Sequence, residues 1–158
     1  MKRILFVIYF IMIVFGAYSQ KMSTEEVSPE YKIMLSLFET TIGQPASGKT
    51  YLFPSSRALQ LRMNEDDYQI LINSKDKKKL EQFFLLHSLT TSIDVEDLNS
   101  RPKEGAFLLF NTSAGSSVFL TRSLGQLMFT DKKTFETPVV KTFKYNGINI
   151  FFIEGPLF

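Results

Sequence analysis

The residues whose spacing is most specific for a known chemistry form the segment 43–50, with the sequence Gly-Gln-Pro-Ala-Ser-Gly-Lys-Thr. Four of its residues fit the pattern of a nucleotide-binding P-loop: Gly43, Gly48, Lys49 and Thr50. In a P-loop, backbone amides and the lysine bind phosphate and the threonine hydroxyl binds magnesium. That use requires a strand before the motif and a helix after it. Here a helical period precedes it and Pro54 would interrupt a following helix. We therefore interpret the match as a coincidental loop, with phosphate or nucleotide binding as an alternative.

His87 is the only histidine in the chain, so any histidine base or histidine-ligated metal must use it. It lies on the apolar face of a predicted helix beside Leu80 and Phe83, where packing is the favoured role. The main acidic runs, 65–67 and 94–97, are typical of solvated turns and lack the spacing of a calcium-binding loop. We therefore expect no catalytic residue, no metal site and no cofactor. The alternative is a small exported hydrolase that uses carboxylates or His87.

Two polar connections are the candidate binding surfaces. The first joins two apolar strands and is rich in hydroxyl groups; its candidate residues are Asn111, Thr112, Ser113, Ser116 and Ser117. The second is the turn at Asn146 and Gly147. Loops held by a rigid sheet often carry binding residues. For the first of them, a plain hairpin connection is the favoured interpretation.

The start of the chain has the layout of a secretory signal peptide. Lys2 and Arg3 precede an unbroken apolar run over 4–15, and small residues at positions 17 and 19 fit a signal-peptidase site before Gln20. A retained membrane anchor is the alternative. The apolar stretch over 4–18 has 15 residues, fewer than the roughly 20 that cross a bilayer as a helix. The sequence thus divides into a signal peptide (1–19), a polar lead-in (20–27) and one domain (28–158).

Charge and cysteine content narrow the class of protein further. Loss of Lys2 and Arg3 lowers the 18 basic residues to 16, which equals the number of acidic residues. A neutral mature chain gives no argument for nucleic acid or for lasting contact with a membrane. The chain has no cysteine, which excludes disulfides, thiolate ligands and cysteine-linked lipids. An exported chain without disulfides indicates bacterial export, either to the periplasm or to the outside.

The first half of the domain is predicted to contain two helices and up to three strands. Helical spacing begins at Ser28-Pro29 and ends at Gly43. Strand-like runs follow at 50–53, 58–63 and 68–72, the last two forming a predicted hairpin. Asn73 and Asp76 have the spacing of a helix start, and the second helix is predicted to run to about Leu89.

The second half is predicted to be strands, at 106–111, 118–122 and 126–130, followed by a final hairpin. Asn146-Gly147 favours a type I′ turn between the strands 138–145 and 148–154. A two-residue turn places Tyr145 opposite Ile148, Phe143 opposite Ile150 and Lys141 opposite Phe152. The same register puts Val140 and Ile153 on the other side, which would make that side apolar far from the turn.

This order of elements predicts an α+β domain: a mostly antiparallel sheet of about six or seven strands with two main helices packed on it. Because no catalytic residue, metal site or cofactor is expected, the sequence favours a function in binding. We expect a small, exported, soluble and non-catalytic interaction or accessory module of the cell envelope or extracellular space. Its expected partner is another envelope or secreted protein, with membrane contact only through the signal peptide.

Overall fold

The computed structural model describes residues 27–73, 76–131 and 136–157. Within these ranges four α-helices are present: α1 (Pro29–Ile42), α2 (Ser56–Arg62), α3 (Glu65–Ile72) and α4 (Lys77–Leu86). Seven strands accompany them: β1 (Thr50–Pro54), β2 (Ser88–Leu89), β3 (Phe107–Asn111), β4 (Ser117–Ser123), β5 (Gln126–Thr130), β6 (Thr137–Tyr145) and β7 (Ile148–Ile153). The predicted signal peptide and all but the last residue of the predicted lead-in lie outside the described residues.

The seven strands form one mixed sheet in the order β2-β1-β7-β6-β5-β4-β3. The β1–β7 pair is parallel, whereas the other neighbouring strands are antiparallel. A single antiparallel bridge between Leu89 and Thr112 joins the two ends of this order, so β2 also touches the end of β3. The α+β class and the mostly antiparallel sheet therefore agree with the sequence-based expectation. The parallel β1–β7 pair was not predicted.

The core lies on both faces of β7, and all six residues of that strand are buried. Ile150 and Phe152 point to the helical side, where the ring of Tyr31 in α1 stacks on Phe152 at 4.1 Å between centroids. Phe151 and Ile153 point to the opposite side and pack with apolar residues of β4 and β5. A strand covered on both faces explains the nearly continuous apolar run in its sequence.

Two of the predicted strands are helices, so the predicted hairpin over 58–72 is wrong and the domain has four described helices instead of two. The run 58–63 belongs largely to α2 and the run 68–72 to α3. Asn64 begins α3 because its Oδ1 atom accepts a hydrogen bond from the amide of Asp67 at 2.8 Å. Ser55 caps α2 in the same way. These side-chain caps satisfy helix-terminal amides that have no partner in the preceding turn.

The predicted ends of the longer helices are partly confirmed. Helix α1 ends as expected at Gly43, which has a positive φ of 66°. The predicted cap at Asn73 is wrong, because Asn73 ends α3. Asp76 caps α4 instead, by accepting a hydrogen bond from the amide of Lys79 at 3.1 Å. The predicted extension of α4 to Leu89 is wrong, since the helix ends at Leu86 and the chain then enters β2. This short strand pairs with β1, which takes the backbone out of the helical path.

The final hairpin has the predicted turn and register. Asn146 and Gly147 both have positive φ, 47° and 80°, as a type I′ turn requires. The predicted pairs are all present: Tyr145–Ile148, Phe143–Ile150 and Lys141–Phe152. The expectation for Val140 is wrong, because an irregularity in the register pairs Val139 with Ile153 and leaves Val140 52% exposed.

Candidate functional site

The β3–β4 loop is folded by its own backbone. The amide of Thr112 donates to the carbonyl of Ser116 at 2.8 Å, and the amide of Gly115 donates to the carbonyl of Thr112 at 2.9 Å. The amide of Ser116 donates to the Thr112 hydroxyl at 3.1 Å. Thr112 is only 2% exposed. The predicted hydroxyl-rich loop is therefore a compact turn built around a buried threonine.

Two further amides fasten this loop to the end of α4 and the start of β2. The amide of Ser113 donates to the carbonyl of Ser88 at 2.7 Å, and the amide of Ala114 donates to the carbonyl of Leu85 at 3.2 Å. The carbonyl of Asn111 accepts from the amide of Thr90 at 2.9 Å. Five consecutive amides, 112–116, thus donate within the chain, so the loop is rigid and offers none of these donors to a ligand.

The P-loop-like segment lies against the same loop. The Nζ atom of Lys49 donates to the Oγ atom of Ser113 at 3.1 Å, so the structure brings two predicted sites together across 64 positions of sequence. The hydroxyl of Thr50 is engaged elsewhere, because it accepts a hydrogen bond from the amide of Ile93 at 2.8 Å and the residue is fully buried.

The elements around this segment are helix, loop and strand, since α1 precedes it and β1 begins at Thr50. A P-loop needs strand, loop and helix. Gly43 and Gly48 both have positive φ, 66° and 79°. Gly43 therefore ends a helix, and Gly48 turns the chain toward β1; neither opens a helix whose amides could bind phosphate.

Asn146 and Gly147 lie at the exposed β6–β7 turn. Next to that turn, the hydroxyl of Tyr145 donates to the carboxylate of Glu39 in α1. Burial, followed by the contact with Glu39, raises the pKa of Tyr145 to about 12. Among the hydrogen bonds of the described residues, none joins this turn to the β3–β4 loop. The turn joins β6 to β7, whereas the loop joins β3 to β4, so the two predicted binding surfaces belong to different strand pairs.

A cavity of about 270 Å³ opens beside the β3–β4 loop, and we call it the loop cavity. Its lining combines hydroxyl groups, one carboxylate and apolar side chains: Thr112, Ser116, Ser117, Asp131, Leu86, Val118 and Leu157. Three of the predicted binding residues are among them. Three lining residues were not predicted from the sequence: Asp131 follows β5, Leu86 ends α4, and Leu157 follows β7. Because these residues are far apart in the sequence, no local sequence pattern indicates that they line one cavity.

His87 lies behind the loop cavity and is fully buried. The amide of Leu157 donates to Nε2 at 3.0 Å, so the proton of the neutral ring is on Nδ1, which is 2.9 Å from the carbonyl of Phe83. Burial lowers the pKa of His87 from 6.5 to about 4, against the opposing effect of the Phe83 carbonyl. Both nitrogens hold backbone groups, so the ring ties the chain end to α4 and has no lone pair for a substrate.

The acidic runs have local structural roles. In the run 65–67, Asp67 accepts from Asn64 Nδ2 at 2.6 Å and from Lys79 Nζ at 3.0 Å. In the run 94–97, Asp94 accepts from the amide of Glu96 at 3.0 Å. The part of the chain that the structure describes contains no group of three or more acidic or histidine side chains placed to hold a metal ion.

An apolar surface lies next to the loop, on the side of β3 and β4 that faces away from the core. Phe107 and Leu109 alternate with the inward residues of β3 and are each 60% exposed. The ring of Phe119 in β4 meets that of Phe107 edge to face, 6.5 Å between centroids. We call Phe107, Leu109 and Phe119 the outer face. It runs directly into Asn111 and Ser117, which pair at the end of the two strands.

No helix in the described ranges is both long enough and apolar enough to pass through a membrane. The architecture defines an α+β domain with a mixed seven-stranded sheet. No protein-family model matches the chain, and no curated protein sequence matches it either. Sixteen solved chains are similar in structure.

One of these structures is a FAS1 domain pair from the insect cell adhesion molecule fasciclin I, described there as a novel fold. The TM-score is 0.53 at 12% sequence identity, and the alignment covers 80% of this chain. It covers 43% of that chain, so this protein spans less than half of its neighbour's length. At such low identity the similarity concerns the fold alone.

Proposed function

We propose that the protein is an exported, non-catalytic interaction module that binds another envelope or secreted protein through the β3–β4 loop and the outer face. The observation that carries the proposal is the exposure of Phe107 and Leu109 on a strand that leads directly into the hydroxyl-rich loop. Exposed apolar side chains that adjoin polar groups are typical of protein-binding surfaces.

Export is part of this proposal. Its support is the signal-peptide layout of residues 1–19, together with a fold similar to that of a domain pair from a cell adhesion molecule. The absence of cysteine favours a bacterial envelope or its surroundings, where a domain of this size with a large aromatic core needs no disulfide. Membrane contact is limited in this proposal to passage of the signal peptide.

The alternative functions receive less support from the geometry. Phosphate binding at 43–50 would require free amides at a helix start, and this segment leads into a strand. A histidine-dependent hydrolase would require a free nitrogen on His87, and both ring nitrogens contact backbone groups.

Site-specific photocrosslinking in intact cells tests the proposal. A photoreactive amino acid replaces Leu109 on the outer face, and a matched control replaces Leu61, an exposed leucine of α2. We expect a discrete crosslinked protein in the exported fraction from position 109 and none from position 61. Absence of any crosslink at native expression, or the same products from both positions, would contradict the proposed surface.

A further inference from the structure

We propose that the free edge of β3 binds an extended segment of the partner, which joins the sheet as an additional strand. β3 is the last strand in the order of the sheet, and addition of a strand to a sheet edge is a common mode of peptide recognition. This inference rests on the proposed function and deepens it, because it names the conformation of the partner's segment and the groups that hold it. Its support is the direction of the backbone groups of β3, the way β2 meets the same edge, and the sequence of the strand.

The backbone groups of Phe107 and Leu109 point away from β4. The carbonyl of Asn111 accepts a hydrogen bond from the amide of Thr90, which lies outside β4, so at Asn111 the backbone faces the free side. In an antiparallel pair, residues that bond to the neighbouring strand alternate with residues whose amide and carbonyl point away from it. The pairing of β3 with β4 shows no shift in register. Positions 107 and 109 therefore face the free side as well, while positions 108 and 110 bond to β4.

The pairing of β4 with β5 leads to the same assignment independently. A two-residue turn, with positive φ of 51° at Leu124 and 80° at Gly125, places Ser123 and Gln126 in a hydrogen-bonded pair. Alternation then directs residues 119, 121 and 123 toward β5 and residues 118 and 120 toward β3. Residues 118 and 120 are the partners of 110 and 108, which again leaves 107 and 109 facing the free side.

A segment of this chain already occupies one end of the same edge. The antiparallel bridge between Leu89 and Thr112 places β2 beside the end of β3, with backbone hydrogen bonds of 2.7 Å and 2.9 Å on either side of it. Among the hydrogen bonds within residues 76–131, which the structure describes throughout, none uses the amide or the carbonyl of Phe107 or Leu109 on the free side. The position beside β3 that β2 fills at one end is therefore open at the other, and an extended segment continues the same ladder.

The sequence of β3 does not protect this edge. Exposed edges are commonly blocked by charged residues, proline or a bulge, whereas β3 consists of Phe-Leu-Leu-Phe-Asn in a regular register. Phe107 and Leu109 are exposed on the outer face, and Leu108 and Phe110 are half-buried on the core side. The side chains of an added strand would lie alternately beside these two pairs. The expected segment is thus rich in apolar or β-branched residues and about as long as β3, which has five residues.

Titration of the purified protein with the acetylated and amidated peptide Thr-Val-Thr-Val-Thr tests the inference, because β-branched residues favour the extended conformation. In the free protein the amides of Phe107 and Leu109 should exchange with solvent faster than those of Leu108 and Phe110. The peptide should cause saturable shifts of these two amide signals in NMR spectra and should slow their exchange. Protection of the Leu109 amide in the free protein, or no shift on addition of the peptide, would overturn the inference.

Leu109→Pro separates backbone pairing from side-chain contact. Proline removes an amide hydrogen that faces the free side, and no bond to β4 is lost. Leu109→Ala is the matched control, because it shortens the same side chain and keeps the amide. We expect Leu109→Pro to bind the peptide at least about tenfold more weakly than Leu109→Ala. Equal binding by the two variants would overturn the inference.

The amide signals of Val118 and Leu120 report whether β3 of each variant still pairs with β4. If Leu109→Pro fails to fold, Phe107→Pro takes its place and Phe107→Ala becomes its control. Phe107 is the first residue of β3, a position at which strands tolerate proline.

Crosslinking in intact cells distinguishes failure of this inference from failure of the proposed function. The photoreactive amino acid is placed at position 119, on the outer face and away from the varied residue. Loss of the crosslinked partner with Leu109→Pro but not with Leu109→Ala would support both proposals. If both variants keep the partner equally, the edge inference is wrong and the interaction surface stands.

Two further outcomes concern the occupant of the edge. If the peptide pairs with the edge while no partner crosslinks, the inference about the edge stands and the proposed function is wrong. A crosslinked product with the mass of two copies of this chain would make a second copy the occupant, and the inference of a separate partner would be overturned.

Discussion

Acidification should destabilise this protein through His87 before most carboxylates titrate. The folded chain keeps the ring neutral, because Nε2 accepts a hydrogen bond from the amide of Leu157 and the ring is fully buried. A proton on Nε2 would turn this acceptor into a donor facing another donor. Protonation in the folded state is therefore unfavourable, whereas the unfolded chain takes up the proton at the ordinary pKa.

The size of the effect follows from the depressed pKa. The stabilisation is complete above the unfolded-state pKa and is lost as pH falls to the folded-state value. The pKa of His87 falls from 6.5 to about 4, and one unit corresponds to ~1.4 kcal/mol. The free energy of unfolding should thus decrease by roughly 3 kcal/mol between about pH 6.5 and pH 4. That is a large share of the ~5–15 kcal/mol that stabilises a typical domain.

Urea unfolding at about pH 7, 5.5 and 4 measures the loss, and His87→Gln isolates it from the carboxylates. The glutamine oxygen can accept from the amide of Leu157, but it has no proton to gain. The variant loses the stacked contact with Phe83, 4.1 Å between ring centroids, so it should be less stable at neutral pH. As pH falls, its disadvantage should shrink by roughly 3 kcal/mol.

Parallel pH dependences of the two proteins, within about 0.5 kcal/mol, would refute this reasoning. They would mean that the folded state accepts the proton on His87 without losing the contact to the chain end. A reversed trend, with the variant losing stability faster than the unmodified protein, would also refute it, because it would place the folded-state pKa of His87 above its unfolded-state value.

Further predictions concern local structure and export. Gly147→Ala should cost about 1 kcal/mol in urea unfolding, because Gly147 has a φ of 80°; an unchanged midpoint would contradict this. Asn64→Ala should cost ~1 kcal/mol by loss of the α3 cap, whereas the exposed Gln60→Ala should have little effect. Arg122 donates to three backbone carbonyls, so Arg122→Lys should lower stability by about 1–3 kcal/mol and speed amide exchange at Gly125. Mass spectrometry of the exported protein should find Gln20 as its first residue; an intact leader would support a retained anchor.

Local signals predicted the parts of the fold that depend on neighbouring residues. The turn at Asn146-Gly147 fixed the register of the final hairpin, because a two-residue type I′ turn leaves one pairing of the adjoining strands. The start and end of α1 followed from Pro29, whose ring fixes a helical φ, and from Gly43, which adopts the positive φ at the helix end without steric cost. In these cases the interacting residues are only a few positions apart, so a short stretch of sequence is enough to predict the local structure.

Short apolar runs were predicted less well. The alternating residues 58–63 resemble a strand, and α2 has only seven residues, too few for a helical period to stand out. The deciding interaction is the cap at Ser55, which appears in the sequence as one more serine in a loop. The acidic run after Asn64 was interpreted as a turn, although acidic residues also favour the first turn of a helix.

Only the loop of the candidate site was predictable from the sequence, because the other lining residues reach the cavity through tertiary contacts. Its hydroxyl-rich loop is continuous in sequence, and composition alone marked it as a binding loop. Asp131 and Leu157 reach the same cavity because β5 pairs with β4 and because His87 holds the chain end. Contacts of this kind depend on strand order and on one buried hydrogen bond, and neither has a periodic signature in the sequence.

The aromatic core explains how a domain without cysteine can hold such a site rigidly. Phe38 is completely buried, and its ring lies 4.6 Å, 5.2 Å and 5.4 Å from those of Tyr51, Phe53 and Phe84. Edge-to-face pairs of this kind add to the stabilisation that burial of the rings already provides. Because Phe84 belongs to α4, this cluster fixes the helix whose end holds the β3–β4 loop. The rigidity of the loop thus comes from packed rings and backbone hydrogen bonds, and it survives in a reducing environment.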